Sequence, residues 1–153
     1  MATRDPHLTI FGAAAVVLLL ALATGYSLKH EGVTWEAFSE QKLDEARRSG
    51  VPVLIDFHAD WCAPCQQMEQ TTFKDRSVVK AAKEVVRLRV DMTNFDSPEK
   101  EPLSKRFNIY GLPALIFLAA DGTEATSARL VGFATPQELI GSLRSLNRQS
   151  GVQ

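Results

Sequence analysis

The chain has 153 residues, of which 45% are hydrophobic and 23% charged; this composition excludes a disordered or low-complexity protein, and the length suits one ordinary domain. Its 17 basic and 18 acidic residues give a net charge of -1, which lacks the basic excess that nucleic-acid binding requires. The two cysteines, Cys62 and Cys65, are too few for a scaffold held together by disulfides.

The first predicted element is an uncharged, apolar segment at residues 8–28. As a helix rising ~1.5 Å per residue, it is long enough to cross the ~30 Å core of a bilayer. It predicts a signal anchor, which its length favours, or a signal peptide cleaved after Ala23 in an Ala-x-Ala pattern. A buried core helix fits less well, because the segment is apolar all round and terminal. Either targeting reading exports residues 29–153, in a bacterium to an oxidising compartment.

Residues 29–153 predict a single α/β domain with a central mixed sheet and helices on both faces. Short apolar runs indicate buried strands, an alternating run indicates a further strand, and Thr135 to Glu138 form a capping box at the start of the last helix. The expected order is helix 35–48, strand 52–57, helical pieces 65–72 and 77–83, strand 85–91, helix 98–107, strand 114–119, strand 129–133 and a helix from 135.

Cys62 and Cys65 are three residues apart, directly after a predicted strand and at the start of a predicted helix. Side chains at this spacing lie ~5–6 Å apart on one helix face, so a small adjustment brings them within disulfide distance. The pair can therefore change between dithiol and disulfide without unfolding the domain. Cys62 is nearer the helix N-terminus, where free N–H groups and the macrodipole favour the thiolate, the attacking species in disulfide exchange.

Other uses of the two cysteines are weaker interpretations. Two buried thiols would meet at this spacing by chance only rarely. A zinc site needs about four ligands, and two of the three histidines, His7 and His30, flank the apolar segment. A copper carrier stays open, because two soft thiolates suit Cu(I). We expect no metal and no cofactor beyond a redox-active Cys62–Cys65 disulfide.

Residues 56–65 read Asp-Phe-His-Ala-Asp-Trp-Cys-Ala-Pro-Cys and resemble the active-site stretch of thioredoxins. Leu112-Pro113, before an apolar strand, resembles the cis-proline loop of that family. The resemblance covers residues 33–147 and implies the thioredoxin fold. It is more specific for the C-terminal periplasmic domain of disulfide-interchange reductases of the DsbD type, through residues 59–62, Glu69, 72–73 and 90–94. Two departures are Ala63-Pro64 between the cysteines and Ala114, where a Thr usually follows the proline.

The resemblance implies that Cys62 attacks a substrate disulfide and that Cys65 resolves the mixed disulfide. Asp56 interrupts an apolar strand just before the site, which predicts either an ordinary strand-end residue or a buried carboxyl of raised pKa that accepts the proton of Cys65. Glu69 is one helical turn after Cys65, and the resemblance implies that its charge tunes the thiol pKa. A simple solvated helix residue is the alternative for Glu69.

Three further residues are expected to bind substrate. Trp61 beside Cys62 forms an apolar rim, or else lies in the core as Trp usually does. The resemblance implies a cis bond at Pro113, which places the backbone of Leu112 beside the cysteines for strand-like pairing with a substrate. His58 and Asp60 are weaker candidates for substrate contact, and the resemblance places a basic residue, Arg87, near the site.

These features together predict a single-pass bacterial inner-membrane protein, or a secreted one if cleavage follows Ala23, with a thiol–disulfide oxidoreductase domain in the periplasm. The expected partners are the membrane itself, periplasmic protein disulfides, including thiol enzymes or apocytochrome c, and a membrane electron donor. A reductase is the main prediction. An oxidase or isomerase stays open, because the residues do not set the reduction potential. A non-enzymatic copper-binding or docking module of a membrane assembly complex also stays open.

Overall fold

The structure is a computed structural model that describes residues 31–95 and 97–150, with side chains described as far as Leu146 within the last helix. The predicted anchor or signal segment at residues 8–28 lies outside these ranges. Among the described residues, no helix has both the length and the apolar character needed to cross a membrane.

The predicted succession of helices and strands is confirmed, with one additional short strand at its start. Three short 3-10 helices also occur, at Thr72–Lys74, Ala82–Glu84 and Thr126–Ala128. The described residues form β1 (Glu36–Ala37), α1 (Glu40–Arg48), β2 (Val53–His58), α2 (Ala63–Gln70), α3 (Arg76–Ala81), β3 (Val86–Asp91), α4 (Glu101–Arg106), β4 (Ala114–Leu118), β5 (Leu130–Val131) and α5 (Pro136–Ser150).

The five strands form one mixed sheet in the order β1-β3-β2-β4-β5, as the sequence predicts for the sheet type. β1 and β2 each run parallel to β3, whereas β4 runs antiparallel to β2 and β5 antiparallel to β4. Val53 pairs with Val86 on one side and with Leu118 on the other, so β2 is the central strand. Its C-terminal end therefore has a neighbouring strand on both sides.

Alternate residues of β2 belong to two separate apolar clusters, one on each face of the sheet. Ile55 and Phe57 pack with Leu43 of α1, and Leu54 packs with helix residues on the opposite face, including Leu139 of α5. Helices thus cover both faces, which explains why residues 52–57 form a continuous apolar run.

Three predicted elements are shorter in the structure by three or more residues: two helices and the strand at 129–133, which is confined to Leu130–Val131. The first helix begins at Glu40 rather than Trp35, with Ser39 as its N-cap. Residues 36–37 instead pair with β3, because backbone hydrogen bonds to a sheet edge outweigh the local helical pattern. The predicted helix 98–107 is confined to Glu101–Arg106.

Local capping signals are confirmed. The carboxylate of Asp75 accepts the backbone N–H of Ser77 at 2.8 Å and caps α3. Glu138 accepts the backbone N–H of Thr135 at 2.7 Å and donates its own backbone N–H to the Thr135 hydroxyl, which is the predicted capping box. These interactions are local in sequence, so the residues alone are sufficient to predict them.

Candidate active site

The two cysteines occupy the turn from β2 into α2, where they form a disulfide with Cα atoms 5.2 Å apart. Cys62 is the N-cap of α2, and its Sγ accepts the backbone N–H of Cys65 at 3.2 Å. Both cysteines are buried. A thiolate at Cys62 would keep this N–H donor and the positive end of the helix dipole, and both lower the free-energy cost of its charge.

The loop before Cys62 is tied to the chain that follows β3. The indole N–H of Trp61 donates to the carbonyl of Thr93 at 2.9 Å, and the backbone N–H of Asp60 donates to the Thr93 hydroxyl at 3.1 Å. The Trp61 residue is nevertheless 61% exposed, so the alternative that it is a core residue is wrong. Trp61 directly precedes Cys62 in the chain and exposes its ring to solvent, and its role as an apolar rim for substrate stays a prediction.

The peptide bond between Leu112 and Pro113 is cis, as the family resemblance implies. The carbonyl of Pro113 accepts the backbone N–H of Gly132 at 2.8 Å, which ties this loop to the end of β5. Leu112 is half-buried and packs against the apolar cluster that includes both cysteines. The cis-proline loop and the disulfide therefore lie at the same end of the sheet.

Asp56 lies inside β2 with 1% of its surface exposed. Its Oδ2 accepts the Nε–H of Arg89 at 2.8 Å and forms an ion pair with Nη2 of the same guanidinium at 2.7 Å. Its Oδ1 is buried and has no hydrogen-bond partner among the described residues. Burial raises the pKa of Asp56 to about 6, against the opposing charge of Arg89. Asp56 is thus the buried carboxyl of raised pKa that the sequence predicts, rather than an ordinary strand-end residue.

Glu69 also binds Arg89, whose Nη2 donates to Glu69 Oε1. The alternative that Glu69 is a simple solvated residue is therefore wrong, although 43% of its side chain is exposed. The guanidinium of Arg89 lies over the Trp35 ring, with Cζ 4.6 Å from the ring centroid. One cation thus pairs with two carboxylates, and an effect of Glu69 on the thiols stays a prediction.

The sequence did not indicate a role for Arg89, and Arg87 was named as the basic residue near the site instead. Arg87 donates to the backbone carbonyls of Thr34 at 3.1 Å and Ala82 at 2.7 Å. The parallel register of β2 and β3 decides between them, because Asp56 pairs with Arg89. Arg87 and Arg89 are two positions apart and lie on the same face of β3, so the alternating pattern of this strand fits either of them as the partner of Asp56. The choice between them requires the register, which is set by tertiary pairing.

His58 and Asp60 lie on the rim of the site. His58 ends β2 and is half-buried, and burial lowers its pKa. Asp60 is exposed beside Trp61 and contributes its backbone to the Thr93 interaction. Neither position assigns these side chains a role in catalysis.

Two exposed aromatic residues beside the site were not predicted. Phe95 lines an open groove of about 410 Å³ with Trp61, and a second groove of about 490 Å³ with Tyr110. Tyr110 is 91% exposed and comes two residues before Leu112. Together, Trp61, Phe95 and Tyr110 form an apolar surface that we call the aromatic rim. A polar-rimmed apolar surface of this kind is typical of a protein-binding site.

A metal site in the described part of the chain would require a group of side chains that could bind the ion. Within residues 31–95 and 97–146, no three or more His, Cys, Asp or Glu side chains are grouped so that they could hold a metal ion. The Cys62–Cys65 disulfide is the redox group that the described residues provide.

The model of a family described as Thioredoxin-like matches residues 34–120, more than half of the chain. The chain therefore belongs to the thioredoxin-like family. The thiol:disulfide interchange protein DsbD of Ralstonia nicotianae is 43% identical over 146 residues, covering 92% of this chain and 23% of that protein. DsbD of Colwellia psychrerythraea is 37% identical over 114 residues, covering 74% and 19%. The chain thus spans about a fifth of the length of these relatives.

Solved structures confirm the predicted fold. A thioredoxin from Thermus thermophilus matches with a TM-score of 0.65 and 26% identity, covering 79% of this chain and 92% of that one. The oxidised C-terminal domain of DsbD from Neisseria meningitidis matches with a TM-score of 0.60 and 23% identity, covering 74% and 99%. The cysteine pair at the N-terminus of α2 lies within the matched residues 34–120, which supports the predicted class, a thiol–disulfide oxidoreductase.

The burial of Asp56 predicts a pH-dependent stability that Asp56→Asn removes. A native pKa of about 6 lies above the unfolded value of ~3.9, so the native state binds more protons between these values. The contribution is present at low pH and is lost as the pH rises through about 6. Raising the pH from 4 to 7 should therefore destabilise the wild type relative to Asp56→Asn by about 2 kcal/mol.

Urea unfolding of both oxidised proteins at pH 4 and pH 7 measures this difference. Equal m-values in the two proteins serve as the control, because they show that the same surface is exposed on unfolding. A difference in the free energy of unfolding that stays constant between the two pH values would contradict a raised pKa at Asp56.

Proposed function

We propose that this chain is a membrane-tethered protein-disulfide reductase whose domain at residues 29–153 faces the bacterial periplasm. The observation that carries the proposal is the Cys62–Cys65 disulfide at the N-terminus of α2, in the turn that follows the strand in which Asp56 is buried. The similarity to thiol:disulfide interchange proteins supports the same chemistry.

In the first step, the reduced enzyme forms a mixed disulfide. The Cys62 thiolate attacks one sulfur of a substrate disulfide, a new S–S bond forms, and the other substrate sulfur leaves as a thiolate that takes up a proton. The N–H of Cys65 and the N-terminus of α2 favour the attacking thiolate. This assigns Cys62 the role of nucleophile.

In the second step, Cys65 resolves the mixed disulfide. Its thiol gives a proton to Asp56 and attacks the Cys62 sulfur, which forms the Cys62–Cys65 bond and breaks the bond to the substrate. The second substrate sulfur leaves as a thiolate that takes up a proton, and Asp56 gives its own proton back to water. A carboxyl with a pKa of about 6 is ionised at neutral pH and still basic enough to accept a proton. The net result is the transfer of two electrons and two protons to the substrate.

The aromatic rim and the cis-proline loop form the proposed substrate surface. Trp61 and Tyr110 offer exposed rings, and Leu112 packs against the apolar cluster that includes both cysteines. An extended, apolar segment of a partner protein fits such a surface better than a small polar molecule does. The proposed substrates are therefore periplasmic protein disulfides, in thiol enzymes or apocytochrome c.

A reductase of this kind must be reduced again after each turnover. We assign this to a membrane electron donor, with residues 8–28 holding the domain near it. The apolar length of that segment supports the anchor.

Substitution of the cysteines separates their two roles. Cys62→Ser removes the nucleophile and should abolish insulin reduction. Cys65→Ser leaves the mixed disulfide unresolved, so covalent complexes with partners should accumulate and be identifiable by mass spectrometry. The double Cys62→Ser/Cys65→Ser variant is the control and should trap nothing. A wild-type chain without any thiol exchange would overturn the proposed function, and an empty trap would count against protein substrates.

The direction of electron flow follows from the equilibrium reduction potential of Cys62–Cys65. Titration against glutathione or dithiothreitol should give a value near that of thioredoxin, ~-270 mV, because a donor of electrons must stabilise its disulfide. A value near that of DsbA, ~-120 mV, would make the protein an oxidase and reverse the proposed direction.

Membrane tethering is tested by extracting membranes from cells that make the full chain. An anchored protein should stay in the membrane fraction after alkaline carbonate treatment and keep its full mass. A chain lacking residues 1–28 is the matched control and should remain in the soluble fraction. A wild-type chain recovered in the soluble periplasmic fraction, with its N-terminus after Ala23, would contradict the anchor.

A further inference from the structure

Arg89 joins two elements that have different proposed tasks. Its side chain leaves β3 and contacts Asp56, the proposed proton acceptor on β2, and Glu69 on α2. Glu69 is one helical turn beyond Cys65, so the same guanidinium connects the proton acceptor to the helix that carries the resolving thiol. No motif in the sequence indicates such a connection.

We propose that Arg89 is a positioning residue: it binds Oδ2 of Asp56 through a hydrogen bond from Nε and an ion pair with Nη2, holds Glu69 with the same guanidinium, and so keeps Oδ1 of Asp56 as the proton-accepting atom when Cys65 resolves the mixed disulfide. This inference rests on the proposed function. The step moves the Cys65 proton to Oδ1, forms the Cys62–Cys65 bond and breaks the bond between Cys62 and the substrate.

The contacts at Asp56 are arranged for this role. Nε of Arg89 donates to Oδ2 at 2.8 Å and Nη2 forms an ion pair with the same oxygen at 2.7 Å, whereas Oδ1 receives no hydrogen bond among the described residues. A lysine would place a single charged group without this fork. The selective use of one oxygen therefore depends on the guanidinium.

Aromatic side chains hold Arg89 in place. Its Cζ lies 4.6 Å from the centroid of the Trp35 ring and 5.7 Å from that of Phe73, and the two rings pack edge-to-face. Cation–π contacts of this kind keep a guanidinium in a fixed position and away from water. The side chain of Arg89 is correspondingly mostly buried.

The charges that face Asp56 come from several elements. Arg89 on β3 and Glu69 on α2 are the charged groups that act on it, and His58 is two residues further along β2. β4 presents the apolar Leu115 opposite Asp56. Cys65 on α2 supplies the titratable thiol when the disulfide is reduced.

Loss of Arg89 leaves two carboxyls without their counter-charge. Burial and mutual repulsion would then raise the pKa of Asp56 further, so that it is protonated near neutral pH and cannot accept a proton. Resolution by Cys65 should slow, whereas the attack by Cys62, which does not use Asp56, should change less. A larger effect on resolution by Cys65 than on attack by Cys62 distinguishes a positioning role from a general loss of structure, which would slow both steps.

The test uses the reduced full-length chain in detergent and a chromophoric aromatic disulfide, followed by stopped-flow absorbance. The first aromatic thiol is released when Cys62 attacks, and the second when Cys65 resolves the mixed disulfide. In Arg89→Gln, the acid limb of the second phase should move up by one pH unit or more, and its rate at pH 7 should fall about tenfold. The first phase should fall by a smaller factor.

Arg87→Gln is the matched control, because it removes the same charge from the same face of β3 but from a residue that contacts backbone carbonyls. Its second phase should keep the wild-type pH profile. Arg89→Lys keeps the charge without the fork and should shift the profile by less than Arg89→Gln. If Arg89→Gln does not fold, Arg89→Lys takes its place as the variant that tests the proposal. A second phase that keeps the wild-type profile in the Arg89 variants, or an equal shift in Arg87→Gln, would overturn the proposal.

A direct titration keeps this inference distinct from the proposed function. The ¹³C shift of the Asp56 carboxyl in the oxidised protein should titrate at higher pH in Arg89→Gln, or in Arg89→Lys, than in wild type and Arg87→Gln. If the wild type shows no disulfide exchange, the proposed function fails, and an unchanged Asp56 titration still overturns the role of Arg89 by itself.

Discussion

β2 is hydrogen-bonded to a strand on each side and covered by helices on both faces, so residues 53–57 are buried. A carboxyl in such a strand is charged only if the protein supplies a partner, because burial removes its hydration. Arg89 supplies that partner from β3. Desolvation outweighs the ion pair, which leaves the pKa of Asp56 at about 6, close to the range in which a proton acceptor works best.

The same sheet brings three distant segments to one place. β2 and β3 are parallel, so the cysteine loop after β2 and Thr93 after β3 lie at the same end, where they are hydrogen-bonded. β4 runs antiparallel to β2, and Ala114 pairs with Phe57, so Pro113 enters the sheet at that end as well. The nucleophile, its supporting loop and the cis-proline loop meet because of strand direction alone.

Much of the fold could be predicted because its signals are local. The apolar run of β2, the Asp75 cap and the Thr135–Glu138 capping box depend on neighbouring residues, and the structure contains all three. The strand at residues 36–37 was not predicted, because two residues are too few to show the alternating hydrophobic pattern of a strand. Its hydrogen bonds come from β3, about fifty positions further along the chain.

Short-range patterns in the sequence were enough to predict the redox pair, its position at a helix N-terminus and an acid within the strand before it, because each is read against the hydrophobic period. The proline loop before β4 was predicted from the family resemblance, and the burial of the acid was one of two alternatives. Tertiary structure alone decided that Arg89 rather than Arg87 binds Asp56, that Glu69 is paired with it, and that Trp61 is exposed beside Phe95 and Tyr110. The physical reason is that strand register and packing across the sheet join residues far apart in the chain, and no local pattern encodes those distances.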